Sequence, residues 1–183
     1  MRGFSMAEAS RRLGVAVSAP YAHFADREDL LAAVTVRGFE QFRGALLPEM
    51  DRFTDPADRL VAMASAYVRF AAARPAMFEM LYESGVDKTR HPEVHDAERP
   101  LDQAFLDCVR ALADGDDGLA TDLATAVEAT ARGHVMLLLD SGPGQEGQED
   151  VTSAAARTAR AVRALIESRR LLGGPYHPEE EPR

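Results

Sequence analysis

Residues 5–31, S-M-A-E-A-S-R-R-L-G-V-A-V-S-A-P-Y-A-H-F-A-D-R-E-D-L-L, decide how this chain is read. Two short helical patterns meet at Gly14, and a third begins after Asp26. Ser5 is an N-cap residue type, and Glu8 stands three positions on, where a capping box places its acid. Met6, Ala9 and Leu13 recur at helical spacing, with Arg11 and Arg12 on the outer face. Gly14 suits the left-handed conformation that ends a helix, and Val15 follows it as an apolar plug. A second segment, from about Val17 to Phe24, sets Tyr21 and Phe24 three apart on one face. Helix, glycine turn and short helix predict a helix-turn-helix, a motif whose second helix enters the major groove of DNA.

The residues downstream narrow that reading. G-V-A-V-S-A-P-Y-A-H-F-A-D-R-E-D-L-L-A-A-V, residues 14–34, resembles the DNA-binding head of TetR-family transcriptional regulators. In that family G-V-S is followed by Y-x-H-F, a short turn, a basic and an acidic residue, and a Leu-rich helix. Gly14, Val15, Tyr21, His23, Phe24, Arg27, Glu28, Leu30 and Leu31 fall in that register. The resemblance implies an all-α fold, a helix-turn-helix head on a larger helical body, and a homodimer. It also implies a double-stranded DNA operator and a small, apolar effector as partners. Val17, Ser18, Tyr21, His23 and Arg27 are the DNA-binding candidates. Val can touch thymine methyl groups, Ser and Tyr can reach phosphates, and Arg27 stands where the family has its usual Lys. Phe24, and equally Tyr21, can instead be core residues of the small head. The chain departs from the pattern at Ala16, which replaces the common Ser N-cap, and Val17, Ala19 and Ala22 carry no charge. Family heads also place a further helix before the Ser-capped one, and residues 1–4 do not encode it. The face formed by Phe4, Met6, Leu13, Phe24 and Leu31 is therefore expected to lack its cover.

Composition supports an ordinary globular chain, with 46% hydrophobic and 28% charged residues in 183. Strand-type alternation is missing and most segments repeat near 3.6, which predicts an all-α protein. A single Cys, Cys108, excludes an intrachain disulfide framework and a multi-Cys metal site. No apolar run approaches the roughly 20 residues that span a bilayer, and no signal-peptide core opens the chain. A cytoplasmic protein without a membrane partner is expected. The net charge is −9, but residues 1–43 hold six Arg against five Asp and Glu, a balance of +1, leaving −10 for the rest. Such a near-neutral head on an acidic body suits a dimer that presents only its head to phosphates.

The predicted organisation is a DNA-binding domain over residues 1–43, a helical effector-binding and dimerisation domain over 44–172, and a disordered acidic tail over 173–183. Asp26 caps a long helix from Arg27 to about Leu47, with Leu30, Val34, Phe39, Phe42 and Leu46 inward and Pro48 marking its end. Asp55-Pro56 opens a helix running to about Ala73, and a short one follows over 76–83. Segment R-P-A-M-F-E-M-L-Y, residues 74–82, resembles the part of TetR-like bodies that shapes one wall of the effector cavity. Tyr67, Phe70, Phe78, Leu81 and Phe105 are the ligand-binding candidates, against plain core packing as the alternative. Residues 85–99 hold His91, Glu93, His95, Asp96 and Glu98. H-P-E-V-H lacks metalloprotease spacing, so a solvated polar segment is expected there, with no metal and no cofactor. A helix is expected from Pro100 to Ala113, with Cys108 inward. D-G-D-D-G at 114–118 is a surface turn rather than a calcium loop. The last two helices, Leu119–Asp140 and Val151–Leu172, resemble the hairpin that forms a four-helix bundle with its symmetry mate in TetR dimers. Leu123, Val127, His134, Thr158, Val162 and Leu165 are the dimerisation candidates. A-T-A-R-G-H-V, residues 129–135, resembles a W-x-x-H-G stretch of one branch of the family, with Ala129 and Arg132 in place of the Trp and His.

Two functions fit. One is a transcriptional regulator, a repressor that an effector releases from its operator. The other is a dimeric small-molecule-binding or scaffold protein of the same fold that has lost DNA binding. No Ser/His/Asp set, phosphate loop or metal cluster with usable spacing points to an enzyme.

Overall fold

The structure, a computed structural model, describes residues 5–140 and 150–172. The linker at 141–149, the tail at 173–183 and Phe4 lie outside the described residues. Seven α-helices are described: α1 (Met6–Arg12), α2 (Arg27–Met50), α3 (Pro56–Ala73), α4 (Pro75–Glu83), α5 (Pro92–Leu112), α6 (Asp117–Asp140) and α7 (Val151–Glu167). Short 3₁₀ turns stand at Pro20–Ala22 and Arg169–Leu171. No strand occurs among the described residues. The fold is all-α, and none of its described helices is long and apolar enough to cross a membrane.

Start signals fix the long helices. Asp26 accepts the backbone N–H groups of Glu28 and Asp29 at 2.7 and 3.0 Å, Asp55 those of Ala57 and Asp58, and Asp150 those of Thr152 and Ser153. Each carboxylate satisfies N–H groups that the first helical turn leaves without partners. Ser5 departs from expectation. Its backbone is extended as an N-cap requires, but its side chain caps nothing. Glu8 closes ion pairs with Arg11 and Arg12 instead, so the capping box does not form. At the other end of α1 Gly14 has φ +69°, Val15 N–H donates to the Ser10 carbonyl at 3.0 Å, and Gly14 N–H to Arg11. Those two bonds make the Schellman motif predicted at Gly14. The plug does not pack: Val15 is 47% and Leu13 77% exposed, while Met6 and Leu31 are buried. Of the face expected to lack cover, Met6 on α1 and Leu31 on α2 are covered, whereas Leu13 is not.

Proline misled two boundaries. Pro48 lies inside α2, which runs to Met50, because Leu46 and Met50 are fully buried and hold the last turn against α3. Pro100 lies inside α5, whose true start is Pro92, with His91 as N-cap. Val94 and Leu101 anchor the extra turns, and their burial outweighs the one hydrogen bond Pro100 removes. In contrast, α7 stops at Glu167 and continues only as the 3₁₀ turn Arg169–Leu171. The stripe of α2 is also rotated. Leu31, Thr35, Gly38, Phe39, Phe42, Leu46 and Met50 face inward, whereas Val34 is 37% exposed and Leu30 half-buried.

Packing is centred on α3, which lies against α2, α5, α6 and α7. One core cluster joins α2, α3 and α4 through Phe42, Phe70 and Phe78, and a second joins α3, α5, α6 and α7 through Leu60, Cys108, Leu123 and Val162. Cys108 is buried, as a small apolar residue would be.

Candidate functional site

Two regions bring the predicted functional residues together. The first is the surface of segment 15–27. Val17, Ser18, Tyr21, His23 and Arg27 are all exposed, with Val17 at 45% and Tyr21 at 56%. The expected helix over Val17–Phe24 is reduced to a 3₁₀ turn at Pro20–Ala22. The hydrogen bonds explain the difference. Pro20 has no N–H to give the Ala16 carbonyl, so Ala19 takes that acceptor three residues on, and Tyr21, Ala22 and His23 continue in the same tight register. His23 lies edge-on to Phe24, with ring centroids 6.5 Å apart. Phe24 is half-buried.

A clasp ties this region to the body. Arg90, in the loop before α5, donates to Glu28 at 2.8 Å and to Asp26 at 2.7 Å, both in the first turn of α2. Asp87 N–H donates to Glu28 at 3.1 Å. Hydrogen bonds from the Asp29 N–H and then from Arg90 hold the Asp26 carboxyl below its ordinary value. His91 corrects the expectation of a solvated segment: it is 6% exposed, its Nδ1 lies 3.1 Å from Glu93, and its Nε2 is buried without a hydrogen-bond partner.

The second region is a cavity of about 250 Å³ inside the body, between α2, α3, α4, α5 and α6. Tyr67, Leu81 and Phe105 line it, as the sequence suggests. Phe70 and Phe78 do not. Phe70 stands behind Phe42, with ring centroids 4.9 Å apart, and Phe78 packs edge-on to Tyr67 at 5.2 Å. Those two rings set the wall rather than form it. Sequence reasoning missed Phe39, Phe42 and Met63, and all of the polar lining: Glu98, Asp102, Glu128, Arg132 and Tyr82. One signal was available, because Glu98–Asp102 and Glu128–Arg132 are both spaced i, i+4 and so share a helix face. Tyr67 and Tyr82 hydroxyls lie 2.9 Å apart, and the Arg132 guanidinium sits 4.1 Å from the Tyr82 ring centre. Burial raises the Tyr67 and Tyr82 phenols above their ordinary value. It also raises the Asp102 and Glu128 carboxyls; Glu98 adds to the shift at Asp102, and Arg132 opposes it at Glu128. Among the described residues no cluster of three or more metal-ligating side chains is present.

The dimerisation candidates separate. Leu123, Val127, Thr158 and Val162 are buried inside a single chain, and His134 Nδ1 lies 2.9 Å from the Thr158 hydroxyl. The four pack between α6, α7 and their neighbours, with His134 and Leu165 half-buried beside them. The stripe they form was correctly read as apolar, but its partner is the neighbouring helix. Facing outward on α6 are Ala129, Gly133, Met136 and Leu137, the last two 48% and 67% exposed.

Residues 60–165 match the family described as tetracyclin repressor-like, C-terminal domain. The chain belongs to this family. Its match spans α3 to α7, the elements that hold most of the cavity wall. A solved structure described as a protein with unknown function from Rhodococcus sp. RHA1 is 27% identical. The alignment covers 87% of this chain and 85% of that one, with a TM-score of 0.59. No curated protein matches. Membership of a tetracyclin repressor-like family places the chain with transcriptional regulators.

Proposed function

We propose that this protein is a DNA-binding transcriptional regulator, a repressor released from its operator by a small effector held in the body cavity. The observation that carries the reading is the course of α2. Arg27, at its first residue, lies beside the exposed turn of Val17, Ser18, Tyr21 and His23, and Phe39 and Phe42 of the same helix line the cavity. A helix of 24 residues is a rod of about 36 Å, so filling the cavity and tilting the rod are mechanically one event. Residues 1–43 act as the head and 44–172 as the body. In a homodimer the two heads would then change separation and lose register with successive major grooves. The outward α6 face of Ala129, Gly133, Met136 and Leu137, with Ala156 and Ala164 of α7, supplies a small-residue surface on which two copies can pack closely. An effector lowers operator affinity only by binding the released state more tightly. The protein functions without catalysis or cofactor, in the cytoplasm.

One observation favours a second reading, a dimeric small-molecule-binding or scaffold protein that no longer binds DNA. Segment 15–26 carries no Lys or Arg, and its expected recognition helix is a single 3₁₀ turn. Fluorescence anisotropy of the full chain on its own promoter region, titrated at several salt concentrations, separates the two. Sequence-preferring binding whose affinity falls with salt supports the regulator. Absence of such binding from a chain that sediments as a dimer supports the second reading.

A further inference from the structure

The cavity carries more than a size. Its apolar wall is aromatic, with Phe39, Phe42, Phe105, Tyr67 and Tyr82. Three carboxylates line it as well. Glu98 is already engaged by Lys88. Asp102 on α5 and Glu128 on α6 accept no hydrogen bond and close no ion pair among the described residues. The lining offers one cationic group, Arg132, and its guanidinium is laid over the Tyr82 ring. Both side chains are still exposed to water, so covering them with a neutral ligand would take two carboxylates from solvent without a partner, which is destabilising. An anionic ligand would add repulsion to that cost. A cation would offset both charges and would also lie against the electron-rich faces of the aromatic wall.

We propose that the cavity selects an organic monocation, an amine or quaternary ammonium carried on a small apolar body, with Asp102 and Glu128 as its counter-charges. This inference rests on the effector-cavity reading and names the class of the effector. Phe42, Phe105 and Tyr67 supply the aromatic wall around the ligand, while the Tyr82 ring is already covered by Arg132 and serves through its hydroxyl bond to Tyr67. At about 250 Å³ the cavity is below the roughly 300–1,000 Å³ of drug-sized sites, which restricts the ligand to about one aromatic ring and its substituents. Partial desolvation raises both carboxyls, opposed by Lys88 and His95 at Asp102 and by Arg132 at Glu128.

The test is calorimetric titration of the full chain with three probes of similar size and different charge: benzyltrimethylammonium, its neutral isostere neopentylbenzene and the anion 3-phenylpropionate. The expected order is cation first, with neopentylbenzene about tenfold weaker and the anion weaker still. Asp102→Asn and Glu128→Gln are each expected to weaken the cation about tenfold and to leave neopentylbenzene unchanged or tighter. Glu40→Gln, on the exposed face of α2, should change neither. Circular dichroism establishes that each variant is folded, and the two carboxylate variants lie on different helices, so one suffices if the other fails. Equal binding of cation and neopentylbenzene, or carboxylate variants that bind the cation like wild type, would overturn the inference and leave the cavity as an effector site. If none of the three probes binds, the effector-cavity reading falls and the inference falls with it.

Discussion

Gly38 is where α2 comes closest to α4, and adding one methyl group there tests the packing that shapes the cavity. A Cβ at Gly38 would lie 2.9 Å from Leu81 Cδ2, 2.9 Å from Met77 Sδ and 3.2 Å from Met80 Cε. Gly44, two turns on in the same helix, has open space at the corresponding position. Both substitutions to Ala gain about 0.8–1.0 kcal/mol of helix propensity, and both restrict the unfolded chain alike. They differ only in packing. Overfilling a well-packed site costs roughly 1–3 kcal/mol, and two of the three contacts at Gly38 are flexible methionine tips, which places the cost in the lower part of that range. Gly44→Ala should therefore stabilise by about 0.5–1 kcal/mol, and Gly38→Ala should destabilise by about 0–1 kcal/mol. In urea the two midpoints should differ by on the order of 1 M at unchanged slope. Gly38→Ala should also weaken whatever the cavity binds, because Leu81 and Tyr82 move with α4. A Gly38→Ala chain as stable as Gly44→Ala would refute the close approach of α2 and α4.

Four further outcomes are expected. Phe42→Ala removes a buried ring stacked against Tyr67 and Phe70, and equilibrium denaturation should show a loss of about 3–5 kcal/mol. Tyr82→Phe should cost about 0.5–1.5 kcal/mol by removing the bond to the Tyr67 hydroxyl, which stays within reach of water, and Tyr67→Phe with Tyr82→Phe should cost no more than either alone; additive single costs in the double-mutant cycle would contradict the hydroxyl pair. Arg90→Ala opens the clasp on Asp26 and Glu28, so amide exchange in the first turn of α2 should quicken while α7 is unaffected, and high salt should mimic it. The fourth concerns pH. Asp102 and Glu128 have raised carboxyl pKa values in the folded chain, so the folded state holds their protons more tightly than the unfolded state. Their contribution is then lost as pH rises from the ordinary values of 3.8 and 4.5 through the raised ones. Asp26, Asp87, Glu93 and Asp150 are lowered, and their contribution is lost in the opposite direction, as pH falls through their folded values. Combined Asp102→Asn and Glu128→Gln should flatten the decline in melting temperature above pH 4.5 and leave the acid limb unchanged.

Local chemistry made the helices legible. Asp26 and Asp55 announced two helix starts because an N-cap bond forms within four residues and needs nothing from the rest of the chain; Asp150 caps α7 in the same way, though the sequence reading did not single it out. Gly14 was equally readable, since its left-handed turn is a property of its own backbone. Errors gathered where burial competes with a local signal. Pro48 and Pro100 read as breakers, yet each sits in a helix whose flanking apolar residues are buried by other elements. Ser5 failed as a cap because Glu8 is drawn to Arg11 and Arg12.

At the cavity, the aromatic residues of α3, α4 and α5 were legible as a stripe, but a stripe does not say which rings face a void and which stand behind. Phe78 and Leu81 are three apart on one helix, and only Leu81 reaches the lining. That choice depends on where Phe42 and Tyr67 arrive from α2 and α3. Leu123, Val127, Thr158 and Val162 show the same limit, because periodicity marks a face as apolar and cannot name what covers it. The sequence by itself determined the all-α class, the capped helix starts, the turn at Gly14 and the family resemblance, all of which rest on contacts within a few residues. Tertiary structure decided the rest: the continuation of α2 and α5 through Pro48 and Pro100, the clasp of Arg90 on the start of α2, and the aromatic and acidic side chains of several helices that meet at one cavity. Those features depend on side chains far apart in sequence, and burial and distance between them exist only once the helices have packed.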